Sequence, residues 1–342
     1  MTTTHATATQ PTATHATTLS PSAAILWAYW FAEDGTPEAI TPAEADAALA
    51  TRGGWFWIHA GLADTRCRIW LEQNAPASPV VREILLGPDE HLRLDVTPDA
   101  IAGVLPDLQR DLAQASMEFA RFRFVMTPRM LITARRHPLH SIELTRRAVE
   151  GGARFLTAAS LLDGLIDHFA DAMGRLAVDL GDELAVVEDR VLRDDFSDER
   201  QRIGRARLQI VRVHRQLAQL KVLFHRIEPR VAIAHAALSA PLGDLIQKLD
   251  ALEHDFGSLQ ERSRYLQDEV ATKMTAITNR RLFTLSILTA CLLPPTLVTG
   301  FFGMNTKDLP FQQIDGGTWY ALGLCVGAGA VAYWALRRLR AL

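Results

Sequence analysis

Polar side chains recur at helical spacing near the C-terminus, and the row that they form continues into an apolar part of the chain. Steps of three, four or seven residues place these side chains on one face of a single helix. Their carboxylate, amide and hydroxyl oxygens could line an aqueous path. The row consists of Glu261, Asp268, Thr272, Thr275, Asn279, Leu282, Ser286, Thr289, Leu293, Thr296 and Gly300.

The hydroxyls of this row have two interpretations. Lipid offers them no partners, so a polar row in a membrane ordinarily faces the protein interior or water. Alternatively, serine and threonine hydroxyls simply bond to the backbone of their own helix. The row is continuous with Asp268 and Asn279 on its polar side. This continuity favours a pore lining.

A second candidate set is acidic, because Asp163, Asp167 and Asp171 recur at every fourth residue with His168 beside them. Three carboxylates on one helical face repel one another unless they are countered. One interpretation is structural, with the acids paired to the basic segment 200–230 across a helical hairpin. The other is functional, since several copies of this face would concentrate divalent cations. Zinc accepts carboxylate and imidazole together, so the four residues are also candidate metal ligands.

Two uncharged apolar stretches near the C-terminus, residues 282–302 and 319–336, are each long enough to cross a bilayer. Arginines precede the first stretch and follow the second, whereas the connecting loop contains one basic residue, Lys307. The positive-inside rule therefore predicts both termini in the cytoplasm of an inner-membrane protein. Two spans cannot enclose a channel, so a pore requires several copies of the chain. The spacing of Gly323 and Gly327 predicts close packing between the spans.

The remaining composition argues against several other functions. A net charge of −3 argues against a nucleic-acid binder. The motifs of nucleotide-binding enzymes, metalloproteases and serine hydrolases are absent from the sequence, so we predict neither an enzyme nor a bound cofactor. The three cysteines lie far apart and suggest no disulfide framework or zinc site.

The order of segments predicts an α+β membrane protein. Aromatic or β-branched runs at residues 25–31, 55–59, 118–126 and 130–133 predict strands of an α/β domain. After Pro241, apolar residues at three- and four-residue spacing predict one long helix that continues into the first span. The predicted segments are a disordered tail (1–22), a cytoplasmic α/β domain (23–155), a helical hairpin (156–240), a stalk helix (241–281), a first span (282–302), a periplasmic loop (303–318), a second span (319–336) and a basic cytoplasmic tail (337–342).

The run LLPPTLVTGFFGMN at residues 292–305 resembles the signature of the CorA and ZntB family of two-span metal ion transporters. The tripeptide of that signature is here Gly303, Met304 and Asn305. The resemblance implies a funnel-shaped homopentamer in which a ring of Asn305 forms the outer entrance of the pore. It further implies these pore positions, from the outside inward: Thr296 and Leu293 in the upper pore, Leu282 and Leu285 near a hydrophobic constriction, and Asn279 and Asp268 below it.

The segment after the tripeptide, residues 306–311, resembles the ZntB branch of the family more closely than the magnesium branch, although Lys307 and Asp308 depart from both. The resemblance therefore implies zinc transport, with proton coupling. A CorA-type magnesium or cobalt channel is the alternative. A membrane-tethered helical scaffold or sensor without conduction is the second alternative. The partners expected are other copies of this chain, the lipid bilayer and the transported divalent cations, Zn²⁺ or Mg²⁺.

Overall fold

The computed structural model describes residues 25–76, 78–109, 118–193, 198–235, 239–304, 310 and 316–338. The predicted disordered tail therefore lies outside the described residues, as do Asn305 and most of the predicted loop. The elements are β1 (Ile25–Phe31), β2 (Pro37–Ile40), α1 (Pro42–Thr51), β3 (Trp55–Gly61), α2 (Thr65–Asn74), α3 (Pro79–Leu86), β4 (Arg93–Val96), β5 (Ile101–Leu108), β6 (Phe119–Thr127), β7 (Met130–Arg135), α4 (His140–Glu150), α5 (Ala158–Leu192), α6 (Glu199–Ala234), α7 (Ser239–Phe302) and α8 (Gly317–Arg338).

The strands form one seven-stranded sheet in the order β2-β1-β3-β7-β6-β5-β4. Neighbouring strands are antiparallel except β3 and β7, which run parallel with Gly61 paired to Arg135 at their carboxyl ends. One face of the sheet is covered by α1, α2 and α3, and a core of buried apolar side chains lies between them. This domain, the long helices that follow and two candidate membrane helices confirm the predicted α+β architecture.

The chain divides into two compact units. The first comprises Met1–Asp189 and Gln201–Ser263, and contains the sheet, most of α5 and α6, and the beginning of α7. The second comprises Arg190–Arg200 and Arg264–Leu342, and contains the rest of α7 and all of α8.

Within the first unit, the acidic helix α5 and the basic helix α6 both form ion pairs with α7. Lys248 of α7 lies 2.5 Å from Asp167 of α5, and Arg262 lies 2.5 Å from Glu188. Glu253 of α7 accepts from Lys221 and His214 of α6, at 3.3 and 3.1 Å. Both arms of the hairpin thus form ion pairs with a third helix, α7, whereas the structural interpretation of the sequence expected them to pair with each other. Direct pairs across the hairpin do occur, such as Arg202 with Glu183 at 3.8 Å.

A fully buried carboxylate, Asp107 at the end of β5, caps the start of α4. It accepts from the hydroxyl of Ser141 at 2.7 Å and from the backbone N–H groups of Leu108, Ser141 and Ile142. Burial raises the pKa of Asp107 to about 6, while these donors oppose the rise. Near pH 7.5 the carboxylate is therefore ionised, and it satisfies helix N–H groups that have no partner within the helix.

We expect Asp107→Asn to lower the free energy of unfolding of the α/β domain by about 1–3 kcal/mol at pH 7.5. The substitution replaces one carboxylate oxygen, which accepts hydrogen bonds, with an amide nitrogen, which donates them. That nitrogen would face the N–H and hydroxyl donors that now bond to Asp107. Denaturant titration followed by tryptophan fluorescence measures the change. Asp99→Asn is the matched control, because Asp99 is exposed in the turn between β4 and β5. Equal stability of the two variants would contradict the capping role.

Candidate ion pathway

The acidic candidates Asp163, Asp167, His168 and Asp171 do not converge as ligands. Asp167 pairs with Lys248, and Asp171 is exposed. Burial, and then the neighbouring Asp167, raise the pKa of the half-buried Asp163. Among the described residues, no group of three or more His, Cys, Asp or Glu side chains is placed to hold a metal ion. The metal site expected from the spacing of these residues is therefore not formed within one chain.

The imidazole of His168 is directed towards α4. Its Nδ1 lies 3.0 Å from the Thr145 hydroxyl, which itself donates to the backbone carbonyl of Ser141 at 2.9 Å. A threonine has one hydroxyl hydrogen, so while Thr145 donates to Ser141 the bond to His168 requires a hydrogen on Nδ1. The imidazole is thus bonded to α4, whereas the neighbouring Asp167 pairs with α7. A role of the acidic residues in attracting cations by their field stays a prediction.

Below the first span, α7 has a packed face and an exposed face. Leu266 and Val270 are buried, and the ammonium of Lys273 on the same side donates to the carbonyl of Val191 at 2.7 Å. Asp268 and Asn279 lie on the opposite side of the helix and are exposed. The polar row is thus the part of this helix that is left uncovered within its own unit.

The hydroxyls of the row donate to backbone carbonyls four residues earlier in the same helix. The distances are 2.8 Å for Thr272 and Thr275, 2.9 Å for Ser286 and Thr289, and 2.7 Å for Thr296. The backbone-bonded interpretation is therefore confirmed, but it does not exclude the other. Since each hydroxyl uses its hydrogen inside the helix, its oxygen lone pairs remain available as acceptors on the exposed face.

The described residues include two helices long and apolar enough to cross a membrane, within 242–302 and 317–338. No residue of α8 is buried. The side chains of Leu282, Leu285 and Leu293 are 56%, 59% and 67% exposed. Apolar surface of this extent is not left in contact with water in a soluble monomer, so lipid or further protein must cover it.

The two candidate spans meet where α7 contains two prolines in succession. Pro295 has no N–H, so the carbonyl of Cys291 lacks its usual helical partner. A Cβ placed on Gly329 of α8 would lie 3.5 Å from that carbonyl oxygen and 3.4 Å from Pro295. The thiol of Cys325 donates to the carbonyl of Pro295 at 3.8 Å.

Gly329 therefore marks the close approach of the two spans. The expectation that Gly323 and Gly327 provide it is wrong for the contacts within one chain. Apart from the neighbouring backbone of α8 itself, no atom of the described residues lies within 4 Å of a Cβ built on either glycine. The spacing of the glycines on α8 thus indicated a packed face, but the face that contacts α7 contains Gly329 and not Gly323 or Gly327.

The signature tripeptide begins directly after α7. The N–H of Gly303 donates to the carbonyl of Thr299 at 2.9 Å, and that of Met304 donates to Phe301 at 3.3 Å. A Cβ on Gly303 would lie 3.1 Å from the Thr299 carbonyl oxygen, so a larger residue would crowd the end of the helix. Met304 is exposed, and the chain leaves the described part of the structure at Asn305.

Sequence reasoning did not identify the basic residues that shape this pathway. Lys248 neutralises one carboxylate of the acidic cluster, and Lys273 anchors α7 on the side opposite the polar row. Both interactions join residues more than eighty positions apart. The only signal in the sequence was that Lys273 interrupts the apolar spacing of the packed face.

Residues 52–338 match the family of CorA-like Mg²⁺ transporter proteins, and the chain belongs to that family. The family consists of divalent cation transporters, so the chain is a transporter and not an enzyme. Its two candidate membrane helices agree with this class.

The chain is 24% identical over 298 residues to the zinc transport protein ZntB of Yersinia enterocolitica serotype O:8, covering 86% of this chain and 90% of ZntB. It is 24% identical over 288 residues to the divalent cation transporter CmaX of Pseudomonas aeruginosa, covering 83% and 87%. The solved structure of full-length CmaX superposes with a TM-score of 0.77 at 22% identity, covering 92% of this chain and 98% of that one.

We expect Gly329→Ile to destabilise the packing of α8 on α7 by about 1–3 kcal/mol, because the added carbons overlap Pro295 and the Cys291 carbonyl. Gly323→Ile is the matched control on the same helix. Both variants are heated in detergent, and the temperature at which half of the monodisperse size-exclusion peak is lost gives the midpoint. The assignment is wrong if Gly323→Ile lowers the midpoint as much as Gly329→Ile does.

Proposed function

We propose that this chain transports divalent cations across the inner membrane, chiefly zinc, through a homopentameric pore lined by α7. The observation that carries the proposal is the exposed polar row of α7, which lies opposite the packed face of the helix. Membership of a cation transporter family and the similarity to ZntB support it. Both termini would lie in the cytoplasm, because arginines flank the pair of spans.

The proposed pore is a ring of α7 helices around a common axis. One chain has two candidate spans and cannot enclose a channel, whereas copies arranged with the polar row inward would also cover the exposed leucines of that row. In this arrangement Gly303, Met304 and Asn305 form the entrance. The remaining lining, from outside to inside, is Thr296, Leu293, Thr289, Ser286, Leu285, Leu282, Asn279, Thr275 and Asp268.

The chemistry of the row fits a cation that keeps most of its water. Small divalent cations dehydrate reluctantly, so neutral oxygens that accept hydrogen bonds from coordinated water suit them better than a tight ligand cage. The hydroxyls of Ser286, Thr289 and Thr296 present such lone pairs. Leu282 and Leu285 would narrow the pore and exclude water when it is closed.

Proton coupling has few routes in this chain. Residues 282–302 and 319–336 contain no Asp, Glu, His, Lys or Arg. A coupled proton would therefore travel through pore water to carboxylates such as Asp268 at the inner end. A magnesium channel of the CorA type is the second candidate, and the family description supports it.

Uptake of zinc and of magnesium into liposomes holding the purified protein, with and without a pH gradient, tests the proposal. We expect zinc uptake that rises with the gradient and is at least about tenfold lower for Asn305→Ala, which removes only the entrance amide. Uptake of magnesium alone would select the second candidate. No ion-selective flux would leave the non-conducting scaffold as the better description, and wild-type flux in Asn305→Ala would remove Asn305 from the entrance.

The row predicts a difference between two threonines of the first span. Thr289 lies in the row, whereas Thr284 lies on the far side of the helix, and each hydroxyl donates at 2.9 Å to the carbonyl four residues earlier. Thr289→Val is expected to lower cation flux several-fold, because it removes an acceptor from the pore. Thr284→Val should leave the flux at the wild-type value. Equal effects of the two substitutions would show that the row does not face the ions.

A further inference from the structure

A polar cavity of about 280 Å³ opens at one edge of the sheet in the first unit. It lies where β3, β5 and β7 end and β6 begins. Residues Leu62, Gln109, Arg136 and His137 directly follow three of these strands, and Phe119 begins the fourth. The carboxyl ends of a parallel strand pair, here β3 and β7, are a common place for ligand binding in α/β folds.

Three arginines line this cavity. Arg121 and Arg123 are two positions apart on β6, so both side chains leave the same face of the sheet. The register that pairs Phe122 with Arg135 brings Arg121 level with Arg136. Glu90 is the acidic residue of the cavity lining, and it pairs with Arg136 at 3.1 Å. With histidine neutral, three guanidinium groups and one carboxylate leave the lining about two charges positive.

Two of the arginines already have structural roles. The guanidinium of Arg123 is almost fully buried and donates to the backbone carbonyls of Ile84, Leu85, Gly87 and Asp89, at and beyond the end of α3. This network holds Arg123 in place but contains no carboxylate, so its positive charge remains. Arg136 is held by Glu90. These contacts alone would explain two basic residues at this edge, but not three.

Arg121 has no such explanation. No hydrogen bond or ion pair joins its guanidinium to a described residue, although the side chain is partly buried. Burial lowers its pKa, and Glu90 is too weak a counter-charge to reverse the change. A guanidinium presents five N–H donors in a planar fork that fits two oxygens of one oxyanion. Arg121 lines the cavity, and its donors have no hydrogen-bond partner among the described residues.

We propose that this cavity binds the phosphate group of a small phosphorylated metabolite, with Arg121 as the principal ligand and Arg136 beside it. A phosphomonoester carries about −1.5 to −2 charges near pH 7 and so balances the lining, whereas a monocarboxylate would leave a net positive charge. Phe119 and Leu62 offer apolar contact to the organic part. The volume lies just below the roughly 300–1,000 Å³ of small-molecule sites, which restricts the ligand to a small one. The proposal is independent of the ion that α7 conducts.

Titration calorimetry of the full-length protein in detergent tests the proposal, with inorganic phosphate as the probe in metal-free buffer at constant ionic strength. We expect saturable binding that Arg121→Gln weakens at least about tenfold, because a charge-assisted hydrogen-bond pair is lost. Arg129→Gln is the matched control. It removes the same charge from an exposed residue at the other end of β6 and β7.

Arg121→Lys keeps the charge but not the fork, and should bind phosphate with intermediate affinity. Melting temperatures of all variants establish that each is folded. The absence of saturable phosphate binding to the wild-type protein would overturn the proposal. Equal weakening by Arg121→Gln and Arg129→Gln would also overturn it, because the attraction would then be general and not located in the cavity.

Discussion

One helix, α7, has to meet two environments with a single continuous backbone, and much of the structure follows from this constraint. Its first part forms ion pairs with α5 and with α6 inside the first unit. Its last part carries large apolar side chains that one chain leaves exposed. The helix can satisfy both conditions because its faces differ: apolar packing and Lys273 occupy one side, and small oxygen-bearing side chains occupy the other. The apolar surface that one chain leaves exposed must therefore be covered by lipid or by further protein.

The parts of the fold that rest on local periodicity were predictable from the sequence. Strands β1, β3, β6 and β7 coincide with dense aromatic or β-branched runs, and the long helix follows from its repeat. Strand β5 was not predicted, since Gly103 and Pro106 interrupt its pattern. Pro106 is tolerated there because it lies beyond the residues that pair with β4, so one side has no neighbouring strand to receive an N–H.

Long-range electrostatic partners were not predictable, for a physical reason. The spacing of Asp163, Asp167 and Asp171 was readable on one helix, but the compensating Lys248 lies 81 residues from Asp167. The direction of His168 depends on a threonine of another helix. Likewise Asp107 resembles any acidic residue at the end of a strand until α4 places its N–H groups against it. Sequence periodicity fixes the face on which a side chain lies, whereas its partner depends on how separate elements pack.

The bonds between threonine hydroxyls and the backbone have a consequence for the speed of any process on that face. A β-branched side chain with its oxygen tied to the preceding turn is restricted to few rotamers, so the position of each oxygen is set when the helix forms. The same restriction fixes the methyl group of each threonine beside its oxygen. The surface therefore alternates between polar and apolar positions at intervals of about one turn. An ion moving past such a wall would not wait for side chains to reorient. Its rate would depend on how readily water molecules exchange around it, a property of the ion more than of the protein.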